Sequence, residues 1–379
     1  MLSHNKTIFS LFFIRKKIIL LLLFASFFGF EFYVFIVHHF EGKRDLNHLS
    51  GNFPQNREKL CQEKQKDEFS FAIVGDTKGT GTFEKIAKEL RSEPLSFIVF
   101  LGDFVHKGTE GEHNYFKAEY ISEFSFPFPS FFVVGNHDVD SRNFPISRFE
   151  EVYGPSIFSF EYQDCLFVVL RILNAPYSNK ESLRFLEKLI SEKTSSRYRK
   201  IFVFMHIPPP ISSDFDARPF EGSDEIVSLI EKLNADYVIA GDYHGYARIT
   251  RKDTVYLVTG GGGAHLEEKK FGSFHHALVL EVTKDCVSEK ILVVNRDEKL
   301  QDRIERFALA SMYPWLTNNL FAASLLNIIL LTISITLCKH IYQSFKVLRI
   351  NFDPGKKDCF YDKHTMHSVD KIEETKTFS

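Results

Sequence analysis

Apolar positions along the chain fall into two kinds of run. Two runs are long: Ile18 to Val37 and Leu320 to Cys338 are almost continuously apolar, with Glu31 and Asn327 as their most polar members. Each has about 20 residues, the length a helix needs to cross a bilayer. Glu31 is expected near the far interface rather than at the bilayer centre. The remaining runs are short. Phe69–Val74, Ser96–Leu101, Phe131–Val134, Lys200–Met205 and Tyr237–Ala240 are rich in β-branched and aromatic residues and end at Gly or a polar residue, which predicts buried strands. Ile157–Glu161 and Leu166–Arg171 predict a hairpin. Helical spacing predicts helices over Phe83–Arg91, Tyr115–Ile121, Leu183–Glu192 and Ile226–Leu233. The later pattern is strand-rich, with Ala247–Thr250, Val255–Thr259, His276–Val282 and Lys290–Val294. Early alternation of strand and helix followed by successive strands implies α/β architecture, sheets covered by helices with mixed strand direction. No internal repeat is visible.

The flanks of the long runs set an orientation. Lys6, Arg15, Lys16 and Lys17 precede the first with no acidic residue, and Lys339, Lys346, Arg349, Lys356 and Lys357 follow the second. The positive-inside tendency places both termini in the cytosol and the region between on the exoplasmic side. A cleaved signal peptide is the alternative for the first run. Bulky Phe, Tyr and Val continue where small residues would mark a cleavage site, so a retained signal anchor is the reading adopted. Glu41 to Asp67 is polar and reads as a linker. The tail after Cys338 mixes charge signs with few apolar residues and is expected to be disordered.

Composition changes this picture little. The chain has 379 residues and a formal net charge of −2, which allows one large domain plus extras, or two domains. Phe is abundant at 41 residues, and only part of that lies in the long apolar runs. Five cysteines match no zinc spacing. Cys61, Cys165 and Cys286 fall in the exported region, where one disulfide or three unpaired thiols are both open. The sole Asn-x-Ser/Thr sequon, at Asn5, is on the cytosolic side, which leans toward a bacterial periplasm over an organelle lumen. No basic stripe with interleaved aromatics argues for nucleic acid.

The candidate chemistry lies just beyond the predicted strands. Gly75 leads into Asp76, Gly102 into Asp103, Met205 into His206, and Gly241 into Asp242 with His244 two residues on. The third short run leads into Gly135-Asn136-His137-Asp138. In open α/β sheets ligands bind beyond the carboxyl ends of strands. Carboxylates crowded on one rim repel unless a cation holds them, and oxygen ligands mixed with imidazole suit Mn, Fe, Zn or a mixed pair. Gly260–Gly263 lacks the rest of a phosphate-cradling motif and reads as a turn near this rim. Pro208–Pro210 stiffens the chain leaving His206. The loop from there to Gly222, with Asp214, Asp216 and Arg218, is either a specificity element or a solvated excursion.

In order, spacing and strand context these five blocks resemble the calcineurin-like metallophosphoesterases, a superfamily that includes the purple acid phosphatases, across roughly Phe69 to Val294. The resemblance implies a four-layer α/β/β/α sandwich over 69–298, with a cytosolic N-terminus (1–17), a transmembrane anchor (18–37), a linker (38–68), a juxtamembrane segment (299–319), a second transmembrane helix (320–338) and a cytosolic tail (339–379). It implies two divalent or mixed-valence metal ions, Mn, Fe or Zn. Asp76, Asp103 and His244 would hold the first and Asn136, His206 and Asp242 the second, with Asp103 bridging. The reaction implied is hydrolysis of a phosphate mono- or diester by a metal-activated hydroxide, with His137 as proton donor oriented by Asp138. Two residues depart from the family pattern. Lys78 stands where a His ligand of the first metal is usual, and is expected to contact substrate phosphate instead. Asp242 stands where the first His of Gly-His-x-His is usual. His106 lies at the offset where purple acid phosphatases carry a Tyr ligand, so it is expected to compensate for Lys78; a loop histidine is the alternative. Anchors close to the domain suggest a lipid-linked or envelope-associated substrate. The rival reading is a catalytically impaired member acting as a binding or structural module.

Overall fold

The computed structural model describes residues 2–40, 53–79, 81–192, 196–212, 218–267, 272–297 and 299–352, with no side-chain description before 11 or after 346. Contacts divide the chain into two units: Met1–Gly29 with Phe321–Ser379, and Phe30–Leu320. The first unit carries most of the two long apolar helices, α1 (Leu2–Phe40) and, in sequence last, a helix over Leu320–Phe352. Both are long and apolar enough to cross a membrane, over Leu11–Phe40 and Leu320–Lys346. The second therefore runs past the boundary expected at Cys338. The remainder of the expected tail with Cys359, residues 41–52 of the linker, and Asp214 and Asp216 lie outside the described residues.

The second unit contains two sheets. One has the strand order β11-β10-β1-β2-β3, built from β1 (Phe69–Val74), β2 (Phe97–Phe100), β3 (Ser130–Phe132), β10 (His275–Val282) and β11 (Val287–Val294). The other has the order β4-β5-β6-β7-β9-β8, from β4 (Phe158–Tyr162), β5 (Cys165–Val169), β6 (Lys200–Met205), β7 (Tyr237–Ala240), β8 (Tyr246–Arg251) and β9 (Thr254–Thr259). β1, β2 and β3 are parallel neighbours, as are β5, β6, β7 and β9. The outer strands β11, β10, β4 and β8 pair antiparallel.

Each central strand is buried on both faces, which is why it reads as an unbroken apolar run. Phe71 and Ile73 of β1, with Phe97 and Val99 of β2, point to a core shared with Phe160, Phe167, Phe202 and Phe204 of the other sheet. Ala72 and Val74 point the other way, onto α3 (Gly81–Leu90), α4 (Glu110–Glu119) and α5 (Ile146–Tyr153). Ile201, Val203 and Met205 likewise face α6 (Lys180–Ser191) and α7 (Ser223–Leu233). Three cores between four layers make this an α/β/β/α sandwich. Much of the Phe excess is the inter-sheet layer. Phe71 stacks on Phe97 with ring centroids 4.9 Å apart, Phe131 on Phe160 at 4.3 Å, and Phe167 on Phe202 at 5.1 Å.

Before the juxtamembrane segment, two helices fall where none is expected. Part of the expected linker is α2 (Phe53–Gln62), which buries Asn56 and Leu60; the Asn56 amide donates to the Ser130 carbonyl at 2.8 Å. α5 follows Pro145 and is held by Phe149 and Tyr153, one turn apart. The helix expected over Tyr115–Ile121 starts earlier, where the Thr109 hydroxyl caps Glu112 N–H, and ends in a π-helical turn, Tyr120–Phe124. The chain then closes through α8 (Leu300–Phe307), a second π turn, α9 (Tyr313–Asn318) and the long α10 (Leu320–Phe352).

Phe71 and Phe167 are fully buried in the inter-sheet layer. Phe71→Ala or Phe167→Ala is expected to destabilise the sandwich by about 3–5 kcal/mol, read as a lowered denaturation midpoint of the detergent-solubilised chain. Exposed Val293→Ala should leave the midpoint unchanged.

Candidate metal centre

The parallel central strands bring their carboxyl ends to one rim. β1 delivers Asp76, β2 Asp103, the chain after β3 Asn136 and His137, β6 His206, and β7 Asp242 and His244. One ligand atom from each of Asp76, Asp103 and His244 lies within 4.8 Å of the others. His244 Nε2 is 3.3 Å from Asp76 Oδ1. A second group adjoins it through Asp103: His206 Nε2 is 3.3 Å from Asp103 Oδ1, 3.0 Å from Asn136 Oδ1 and 3.7 Å from Asp242 Oδ1. Asp76, Asp103 and His206 are buried, whereas His137 is exposed.

The backbone is bent to achieve this. Asp76, Lys78, Asp103, Asp242 and His244 all have φ between 49° and 61°. That left-handed region costs an L-residue roughly 1–2 kcal/mol, and such residues cluster at functional sites. Glycine permits the close approach beside them. A Cβ on Gly102, whose φ is +90°, would lie 2.7 Å from Gly135 Cα and 2.8 Å from His206 Nδ1. The Gly260–Gly263 turn is packed on the same rim: Gly262 N–H donates to Gly75 O, and Ala264 N–H to Asp76 O, both at 2.8 Å.

The three rim histidines share one arrangement. His206 Nδ1 is 2.7 Å from Leu101 O, His244 Nδ1 2.8 Å from His265 O, and His137 Nδ1 2.9 Å from His106 O. A nitrogen facing a carbonyl must carry the proton, which leaves each Nε2 to offer its lone pair to the rim. At His206 that lone pair would meet Asn136 Oδ1 at 3.0 Å, an arrangement that repels unless a proton or a cation lies there. Burial works against charging His206, but the Asp103, Asp76 and Asp242 carboxylates outweigh it and raise the imidazole above its ordinary value. Asp76 Oδ1 is buried and makes no hydrogen bond. An orphaned carboxylate oxygen, opposed lone pairs and a mixed oxygen–imidazole donor set all fit a borderline divalent metal.

Two expectations are corrected by the geometry. Asp138 does not orient His137. Its carboxylate accepts four backbone N–H bonds: from Asp103 at 2.7 Å, Phe104 at 3.0 Å, Val105 at 3.3 Å and Gly135 at 2.8 Å. The His137 ring is oriented by the His106 carbonyl instead. The His106 imidazole, for its part, does not join the compact group of Asp76, Asp103 and His244. Its Nε2 is buried without a hydrogen bond, and burial together with Arg306 and Lys78 lowers its pKa to about 3. At the first position stands Lys78, 6% exposed, its ammonium 2.6 Å from Asp103 Oδ2. That pairing, with His206 and Lys78 acting against burial, holds the Asp103 carboxyl well below the usual range. The ammonium has three donors, so its pairing with Asp103 leaves others for a substrate phosphate.

Sequence reading missed His113. Buried on α4, it bonds Asp138 O through Nε2 at 2.9 Å and Tyr153 OH through Nδ1 at 2.8 Å, bracing the third loop from behind. No motif marks it. Arg218, noted only as part of a loop, is 3.1 Å from Asp242 Oδ1.

The two sheets and their flanking helices have the metallophosphoesterase fold. The family model for calcineurin-like phosphoesterases matches residues 69–246. No curated protein matches in sequence. Among similar solved structures, GAP50, the anchor in the inner membrane complex of Plasmodium, is 17% identical with a TM-score of 0.46, covering 64% of this chain and 95% of that one. A purple acid phosphatase, PPD1 from yellow lupin seeds, is 16% identical at a TM-score of 0.46, over 63% of this chain and 55% of its own. A dimetal phosphatase from Danio rerio is 14% identical at 0.47, over 60% and 97%.

Removing the Asp138 carboxylate would strand four backbone donors, three of them buried in the Asp103 loop. Asp138→Ala is expected to destabilise the domain by about 3 kcal/mol or more. Metal retention should fall with it, measured by denaturation and by metal analysis of the purified chain.

Proposed function

We propose that the chain is a membrane-anchored, metal-dependent phosphoesterase that hydrolyses a phosphate mono- or diester on the exoplasmic side. The observation that carries this reading is the convergence of Asp76, Asp103 and His244 in one compact group, with His206, Asn136 and Asp242 adjoining it through Asp103. In this reading Asp76, Asp103 and His244 hold a first metal ion, and Asp103, Asn136, His206 and Asp242 a second. Bound there, the metals would supply Lewis acidity toward the phosphoryl oxygens and lower the pKa of water.

The chain's own residues do the rest. Leu101, His106 and His265 carbonyls lock the imidazoles with Nε2 toward the rim. His137 is exposed, with its Nε2 3.8 Å from Asp103 Oδ2; in its doubly protonated form it is positioned to give the Nε2 proton to the leaving oxygen. Asp138 positions both loops through the backbone and touches no reacting atom. Lys78 neutralises Asp103 at the first position, which makes that position the weaker of the two. The two apolar helices act as anchors with both termini cytosolic. This favours a substrate at the membrane surface, lipid-linked or envelope-associated.

Purified full-length chain should contain bound Mn, Fe or Zn and turn over an aryl phosphate mono- or diester. Chelation should abolish turnover and metal readdition restore it. Asn136→Ala should lose turnover by about 100-fold or more together with metal. His137→Ala should keep its metal and lose about 10²–10⁴-fold in kcat. A chain that binds no metal and cleaves neither ester would instead be the non-catalytic module that the Lys78–Asp103 pair favours.

The orientation has its own test. Cys61 and Cys286 are exposed free thiols. Single-cysteine variants keeping either one should react with a membrane-impermeant maleimide in intact spheroplasts. Labelling only after lysis would reverse the assigned topology.

A further inference from the structure

A cavity of about 480 Å³ in the Phe30–Leu320 unit shares no residue with the metal centre. Its walls differ in kind. Tyr33, Ile36, Val37 and Phe40 form one stripe of α1 at helical spacing, apolar and partly aromatic. Glu84 of α3, Glu119 of α4, Glu123 of the π turn, and Asp302 and Glu305 of α8 bring five carboxylates to the same space. Among the described lining residues the cation is Lys299, and its ammonium is engaged by Glu84 at 2.6 Å.

Glu119 stands out within this set. It is 5% exposed, lines the cavity, and its side chain makes no hydrogen bond or ion pair with a described residue. An ionised carboxylate buried without a partner is costly. Burial first, then the charges of Glu84, Glu305 and Asp302, raise its pKa to about 9. Five carboxyl groups crowded beside an apolar wall favour holding protons, and a cationic ligand is what would let them ionise together.

A single small ion does not match the arrangement. Calcium or magnesium needs several oxygens converging at about 2–2.6 Å. Among the described residues, the compact group of potential ligands is the one at Asp76, and none forms at this cavity. Dispersed carboxylates facing an aromatic and aliphatic wall match a cation spread along a carbon skeleton, with the ring faces of Tyr33 and Phe40 adding cation–π attraction. We infer that this cavity is a binding site for an aliphatic ammonium compound, its charge held by Glu119, Glu123 and Glu305 and its carbon chain lying on the α1 stripe. Such an amine could arrive from solution as a polyamine or from the bilayer as a long-chain amine, since the wall it meets belongs to a helix long enough to span a membrane.

The test uses the full chain in nanodiscs of zwitterionic lipid, titrated with spermidine by calorimetry, and separately reconstituted with sphingosine and followed by thermal unfolding. Saturable spermidine binding identifies the soluble source, and sphingosine-dependent stabilisation the membrane source; either supports the site. Glu119→Gln should weaken the response about tenfold or more, and the exposed Glu123→Gln should weaken it in the same direction if the buried variant fails to fold. Absence of a response to both amines at matched ionic strength would overturn the proposal. So would an unchanged response in folded Glu119→Gln, or calcium or magnesium binding as tightly and with the same Glu119 dependence.

Discussion

One carboxylate organises the rim. Asp138 gathers the backbone N–H groups of Asp103, Phe104, Val105 and Gly135, and so ties the loop after β2 to the loop after β3. Burial and the Asp103 carboxylate raise the Asp138 pKa to about 7, and the converging amide donors work against that rise; in return they help fix the backbone of Asp103 in its left-handed conformation. Asp103 Oδ1 then accepts from His137 N–H at 2.9 Å, which closes the link in the opposite direction. The position of the bridging carboxylate is thus set by main-chain hydrogen bonds rather than by side-chain rotamers. A rim held this way can keep several like charges close without collapsing when a cation leaves.

That arrangement needs two sheets in fixed alignment, because Asp76, Asp103 and Asn136 come from one and His206, Asp242 and His244 from the other. The inter-sheet layer supplies the alignment. Phe rings from β1, β2 and β3 interleave with rings from β4, β5 and β6 in stacked and edge-on pairs. Flat, two-torsion side chains define a spacing more sharply than Leu or Met would. Small slips between the sheets would displace His206 from Leu101 O, its partner across the layer at 2.7 Å. The Phe excess and the ligand geometry are therefore one feature of the sequence seen at two levels.

The central strands were legible because burial on both faces leaves continuous apolar runs, and β1, β6 and β7 match their expected limits. The rim residues were legible because each follows such a run at a Gly or at the strand end itself. What was illegible is whatever the backbone does. No side-chain pattern announces that Leu101, His106 and His265 carbonyls orient three imidazoles, or that Asp138 faces amides rather than His137. The same limit hid α2 and α5. Each is anchored by two buried residues, Asn56 with Leu60 and Phe149 with Tyr153, too few to stand out from a polar stretch. His113 was invisible for a related reason, since a lone histidine within a helical pattern carries no spacing to read.

Lys78 is where chemistry and sequence pattern diverge most. A histidine there would add a lone pair to the group of Asp76, Asp103 and His244, whereas a protonated lysine adds a positive charge and no lone pair. Its ammonium already meets Asp103 Oδ2, and its burial leaves little water to soften that attraction. Lys78 is thus a cation built into the chain beside Asp76, Asp103 and His244. Around His206, Asn136 and Asp242 the described side-chain cation is Arg218, paired to Asp242. The asymmetry follows from one substitution in one block. It makes the two halves of the rim unequal: one carries a built-in cation at Lys78, and in the other His206 Nε2 faces the Asn136 amide at 3.0 Å.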